Sequence, residues 1–143
     1  MNEYPKYYTV KIFELNSNKI TKHKLFVDRA LHATNNNIIW SVKLDFFAQI
    51  LEIKDQYLLS ESINRIREII EPAGFRILVK CSDHDAAQSG MLADMTSGTI
   101  IYKLKETDAK GKFARYHVLA ESDINSVVSL GDQKTNKENF YSN

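Results

Sequence analysis

Cys81-Ser82-Asp83-His84-Asp85 places a thiol, an imidazole and two carboxylates within five consecutive residues. Three chemistries are open to such a run. In the first, Cys81 is a nucleophile with His84 as its base, which requires a lowered thiol pKa and base contact within hydrogen-bond reach. If the preceding strand continues through the run, residues 81 and 84 point to opposite faces, and a lone buried Cys is ordinarily an inert apolar side chain. A structural thiol is therefore expected. In the second, Asp83, His84 and Asp85 ligate a metal, since carboxylate and imidazole are suitable donors. Three consecutive residues do not converge easily on one ion, and His23, His32 and His117 stand far apart in the chain. A solvated acidic loop, with no metal and no cofactor, is the expected reading.

The third chemistry is recognition. The run Ser89-Gly90-Met91-Leu92-Ala93-Asp94-Met95-Thr96-Ser97-Gly98 carries two glycines and two methionines. Glycine allows close backbone approach, and methionine offers an adaptable apolar contact. Asp94 can cap a turn or pair with a basic group on a partner. The competing reading is a packed loop whose methionines fill the core. Loops on rigid strands often carry function, so the expected binding residues are Asp83, His84, Asp85, Ser89, Met91, Asp94, Met95 and Tyr102. No catalytic residue is assigned. Ser89-Gly90 lacks the flanks of a nucleophile elbow, and no phosphate-cradling glycine loop occurs. Trp40 and the Phe46–Phe47 pair read as core.

The elements that position these residues follow from periodicity. Tyr8, Val10 and Ile12 alternate with Thr9, Lys11 and Phe13, which predicts a half-buried strand over Tyr7 to Leu15. Asn16-Ser17-Asn18 is a turn signal, with a returning strand over Ile20 to Val27. Asn35-Asn36-Asn37 is a break, and spacings of three and four among Ile39, Val42, Phe46, Phe47 and Ile50 predict a helix from Asn37 to Leu51. A strand over Ile38 to Leu44 is the alternative, because Ile and Val are stiff at the first side-chain torsion. A second helix is predicted from Ser60 as its cap, with Ile63, Ile66, Ile69 and Ile70 as its apolar stripe, ended by Pro72-Ala73-Gly74. Phe75 to Cys81 reads as an internal strand, Ser82 to Ser97 as a polar and small-residue segment, and Thr99 to Lys105 as another strand. Asp108-Ala109-Lys110-Gly111 is a turn leading to a partner strand over Phe113 to Leu119. The tail, 121–143, is polar and is expected either helical or mobile. This order predicts one α+β domain over 1–143, with an antiparallel or mixed sheet of about five strands and two helices on one face.

Composition narrows the partners. The chain has 143 residues, 43% hydrophobic and 26% charged, which is ordinary for a globular protein able to bury about two-thirds of its unfolded surface. Its 19 basic and 18 acidic residues are interspersed, and Lys19, Lys22, Lys24 and His23 form the densest basic group. Nucleic-acid binders concentrate their basic charge, so a nucleic-acid partner is not expected. One cysteine, no apolar run of membrane-span length and no basic-then-apolar start in Met1-Asn2-Glu3-Tyr4-Pro5-Lys6 lead to a cytoplasmic expectation without a membrane partner.

Phe75-Arg76-Ile77-Leu78-Val79-Lys80-Cys81, followed by Ser89-Gly90-Met91, Asp94-Met95, Gly98, Tyr102 and a closing Phe140-Tyr141, resembles a group of small uncharacterised bacterial proteins in which a strand leads into a Ser-Gly-Met…Asp-Met…Gly…Tyr segment. The resemblance covers the last half of the chain. It implies an ordered motif, and no established activity comes with it. The expected function is a non-enzymatic bacterial protein-binding protein, most concretely an immunity protein that neutralises a partner toxin by binding it. The alternative is a small enzyme or ligand-binding domain using Cys81, Asp83, His84 and Asp94; a self-associating domain ranks last, because no heptad or apolar surface stripe is visible.

Overall fold

The computed structural model describes residues 3–142 and is α+β. Four strands come first: β1 (Lys6–Glu14), β2 (Lys19–Leu31), β3 (Ile38–Phe46) and β4 (Gln49–Gln56). They form an antiparallel meander, and β5 (Phe75–Ile77) adds to the free edge of β1, giving the order β4-β3-β2-β1-β5. Every second residue of β1 to β3 is buried: Val10 and Ile12, then His23, Leu25 and Val27, then Trp40, Val42 and Leu44. That period of two is the pleat itself. The opposite face, with Tyr7, Lys24 and Lys43, stays in solvent.

The helix α1 (Leu59–Ile70) crosses the buried face and carries the chain from the β4 edge to the β5 edge. Leu59, Ile63, Ile66 and Ile70 are all but fully buried there, each side chain stabilising by about 1.5–3 kcal/mol. Ile69 lies outside the stripe, 51% exposed.

A second, smaller sheet follows. A 3-10 turn (Lys80–Ser82) leads to β6 (Ala86–Ala87), the helix α2 (Gly90–Thr96), β7 (Ile100–Thr107) and β8 (Phe113–His117), with strand order β6-β7-β8. The helix α3 (Leu130–Ser142) closes the described chain. Cys81, Ala86, Ile101, Val118 and Leu119 join the residues of the large sheet in one core.

The helix expected over Asn37 to Leu51 is instead the β3–β4 hairpin, so only α1 takes the place of the two helices expected on the sheet. Ile38, Trp40, Val42, Leu44 and Phe46 point inward on alternate positions. The strands reverse through Phe47-Ala48, with Phe47 at φ 56° and 59% exposed at the tip rather than in the core. Two short alternating runs joined through such a turn mimic spacings of three and four. The expected strand over Phe75 to Cys81 stops at Ile77 and continues as the 3-10 turn.

Candidate functional site

The expected site residues part into three groups. The first is a buried ion cluster. The turn at Lys80–Ser82 delivers Asp83 inward, where it has no exposed surface. Its Oδ2 lies 2.8 Å from Lys103 Nζ, and the Ser122 hydroxyl donates to its Oδ1. Asp85 is likewise buried: its Oδ1 is 3.3 Å from the same ammonium, and its Oδ2 accepts the Lys105 N–H at 3.0 Å. Burial alone would lower the Lys103 pKa, but the hydrogen bond and charge of Asp83, with the charge of Asp85, outweigh it and raise the group above its ordinary value. The solvated acidic loop expected here is thus an internal tie between the 3-10 turn and β7. His84 is half-buried between the two acids in sequence; its backbone N–H donates to the Ser126 carbonyl at 2.8 Å, and its Nε2 stands 3.9 Å from Asp85 Oδ1.

Cys81 lies at the edge of a second buried polar set. Its Sγ is 3.9 Å from Asn64 Oδ1, and burial pushes the thiol up to about 11, against the opposing charge of Arg67. A nucleophilic thiol needs the reverse shift. Arg67, fully buried on α1, donates to Glu71 Oε2 at 2.8 Å, Gln133 Oε1 at 2.9 Å and the Val128 carbonyl at 2.9 Å. Gln133 in turn donates to the carbonyls of Cys81 and Asp83, both at 2.8 Å. These bonds dock α3 against α1 and the 3-10 turn. Sequence reasoning passed over Arg67, Lys103 and Gln133. A signal for the first existed, since residues 63, 66, 67 and 70 share one helical face and Arg67 interrupts its apolar stripe.

The second group is the outer face of α2. Ser89 caps this helix by accepting the Leu92 N–H at 3.1 Å, and Thr96 donates its hydroxyl to the Leu92 carbonyl at 2.7 Å. Leu92 and Ala93 anchor the buried side. Met91 and Met95, one turn apart, are 75% and 77% exposed, the highest values among the large apolar side chains of the described residues, and Asp94 beside them is also exposed. The methionines therefore do not fill the core.

The third group lines a cleft of about 720 Å³ between the β7–β8 hairpin and the end of α3. Ser89 and Tyr102 face it together with Lys110, Lys112, Phe113, Arg115 and Tyr141. Tyr102 is flanked by the Phe113 ring at 5.9 Å and by the Arg115 guanidinium at 5.3 Å from its centroid.

Cys81, Asp83, His84 and Asp94, the residues of the enzymatic alternative, do not converge: the first two are buried on separate partners, and Asp94 faces solvent on α2. Among the described residues, no three His, Cys, Asp or Glu side chains are grouped to hold a metal ion. No helix among them is long and apolar enough to cross a membrane. No family model matches the chain, and no curated protein matches it significantly.

Proposed function

We propose that this chain is a non-enzymatic bacterial protein-binding protein acting in the cytoplasm, and in its most concrete form an immunity protein that covers the active site of a partner toxin. One observation carries the reading. The two most exposed large apolar side chains among the described residues, Met91 and Met95, sit one turn apart on a helix held at its start by Ser89 and along its buried side by Leu92 and Ala93. Methionine is enriched at protein interfaces, and an exposed apolar pair leaves area in water whose removal by a partner is favourable. Asp94 supplies a charge beside the apolar pair for register on a basic partner group. The net charge of +1 offers little long-range steering, so the complex is held by short-range contact, and its association rate depends only weakly on salt.

The test mixes the purified full chain with the product of the neighbouring gene and measures complex formation by calorimetry. A complex at micromolar concentration that protects the target of that product supports the reading. Exchanging both methionines for glutamate, Met91→Glu with Met95→Glu, is expected to weaken it by about 2–4 kcal/mol, as for loss of a central apolar contact. The same exchange leaves the unfolding midpoint within the range of an ordinary surface change, about 0.5 kcal/mol. Absence of any complex at micromolar concentration would falsify the proposal.

A further inference from the structure

We propose that the cleft between the β7–β8 hairpin and the end of α3 binds a small planar aromatic anion, a ring bearing a phosphate or carboxylate group. This site is separate from the methionine face, and the inference does not depend on the protein-binding reading.

Its walls are aromatic and mutually braced. Tyr102 packs on Phe113 at 5.9 Å, Phe113 on Phe140 at 6.2 Å, and Phe140 on Tyr141 at 5.3 Å, so the hairpin and α3 hold the rings between them. Tyr102, Phe113 and Tyr141 face the opening, and a volume of about 720 Å³ lies within the range of roughly 300–1,000 Å³ typical of small-ligand sites.

Its charge is positive and unspent. Lys110, Lys112 and Arg115 have no carboxylate partner among the described residues. The one acid in the cleft, Asp108, is engaged elsewhere: its Oδ1 accepts the backbone N–H groups of Lys110 at 2.8 Å and Lys112 at 3.0 Å. Those two bonds, with the Gly111 N–H on the Asp108 carbonyl at 3.0 Å, build the turn and fix where both lysines leave it. The Arg115 guanidinium lies over the Tyr102 ring, so its planar fork is pre-oriented beside an aromatic wall. A ring can stack on the wall while its anionic group meets the fork and the lysines, which a simple anion or an uncharged ring cannot do at once. Three cations gathered at one cleft, in a chain of balanced overall charge, suit one compact anion better than the long phosphate track of a nucleic acid.

The test titrates the full chain with adenosine 5'-monophosphate and with phenyl phosphate by NMR, with adenosine and inorganic phosphate as the divided halves of the ligand. At least one aromatic phosphate is expected to bind with a dissociation constant at or below about 1 mM. Adenosine and phosphate should each bind about tenfold more weakly, having lost one of two cooperating contacts. Arg115→Gln should weaken binding about tenfold without moving the unfolding midpoint, since the side chain is exposed and the loss is of one charge-assisted contact. Lys112→Gln, at a second exposed position, should act in the same direction. The proposal is overturned if neither aromatic phosphate binds, if Arg115→Gln leaves binding unchanged, or if a single-stranded oligonucleotide binds with affinity that grows with its length.

Discussion

Gly98 lies against Leu58 so closely that a Cβ at position 98 would stand 2.5 Å from the Leu58 Cβ and 2.9 Å from its Cα. The contact exists because the chain leaving α2 caps α1. The Leu59 N–H donates to the Ser97 carbonyl at 3.0 Å and the Ser60 N–H to the Gly98 carbonyl at 3.1 Å, satisfying first-turn donors that have no side-chain cap. Gly98 also holds φ +75°. Gly98→Ala is expected to destabilise by about 2–4 kcal/mol, combining left-handed strain with a clash against backbone. Gly111→Ala is the control: φ there is +78°, with no atom within 4 Å of the added Cβ, so only the strain of about 1–2 kcal/mol is expected. Urea unfolding of both variants checks the difference; equal losses would remove the role assigned to the close approach.

Arg67 fastens α3 to the remainder of the fold. Replacing it by alanine leaves the Glu71 carboxylate, 8% exposed, without its charged partner, and strips donors from Gln133 and the Val128 carbonyl. The expected loss is about 3–5 kcal/mol, the range for breaking a buried pair from one side. Gln133→Ala should cost less, about 1–3 kcal/mol, because the Arg67 Nη1 that loses this acceptor still donates to Asn64 Oδ1 at 3.1 Å and the Glu71 pair persists. Hydrogen exchange should show residues 130–142 losing protection first in Gln133→Ala. Uniform loss across the chain would contradict this anchoring role.

Stability falls at both ends of the pH range. The Cys81 thiol rises to about 11 on burial, from an ordinary 9.0. The folded state keeps its proton where the unfolded state loses it, so this contribution is whole below pH 9.0 and declines as pH climbs toward 11, by about 2–3 kcal/mol in all. Lys103 is raised above 10.5 by Asp83 and Asp85 against its burial, so its contribution is whole below 10.5 and is lost as pH passes the folded value. His117 is lowered from 6.5 by burial and then by the Lys6 charge, so its contribution is whole above 6.5 and is lost as pH falls below it. Its Nδ1 accepts the Leu119 N–H at 3.1 Å, a bond that protonation removes. Urea midpoints should therefore form a plateau between pH 6.5 and 9.0, and Cys81→Ala should flatten the slope from 9.0 to 11.

Cys81 should resist thiol reagents until the protein unfolds. With a folded pKa of about 11 against 9.0, its thiolate at pH 8 is about a hundredfold scarcer than in the unfolded chain, before steric protection is counted. Timed reaction with a chromogenic disulfide in native buffer and in denaturant checks this. Similar rates in the two solutions would mean that the thiol is accessible in the native protein.

Much of the architecture was legible in local pattern. Alternation identified β1 and β2, the isoleucine spacing with Pro72-Ala73-Gly74 identified α1, and the turn residues around Gly111 identified the second hairpin, because each signal is a matter of adjacent residues. The α+β class follows from these. Ser60 was misread as a helix cap: its hydroxyl donates to Gln88 Oε1 at 2.8 Å, twenty-eight residues away in sequence, while the cap comes from Ser97 and Gly98. The alternative strand over Ile38 to Leu44 is β3, but its return as β4 was hidden because the turn, Phe47-Ala48, contains no glycine, asparagine or proline. For the tail, helix and mobile segment stay open in the sequence, because α3 is docked by Gln133 and Asn136 through hydrogen bonds rather than by an apolar stripe. Tertiary structure alone decided the fate of the 81–102 segment. Asp83 and Asp85 look like surface acids until Lys103, from a distant strand, supplies the charge that allows their burial. Whether the methionines face outward or fill the core is open in the sequence; the short helix that bears them spends its buried face on Leu92 and Ala93. Sequence determines which groups are present and their local periodicity; whether a polar group is solvated or satisfied internally depends on partners that only the folded chain brings within hydrogen-bond reach.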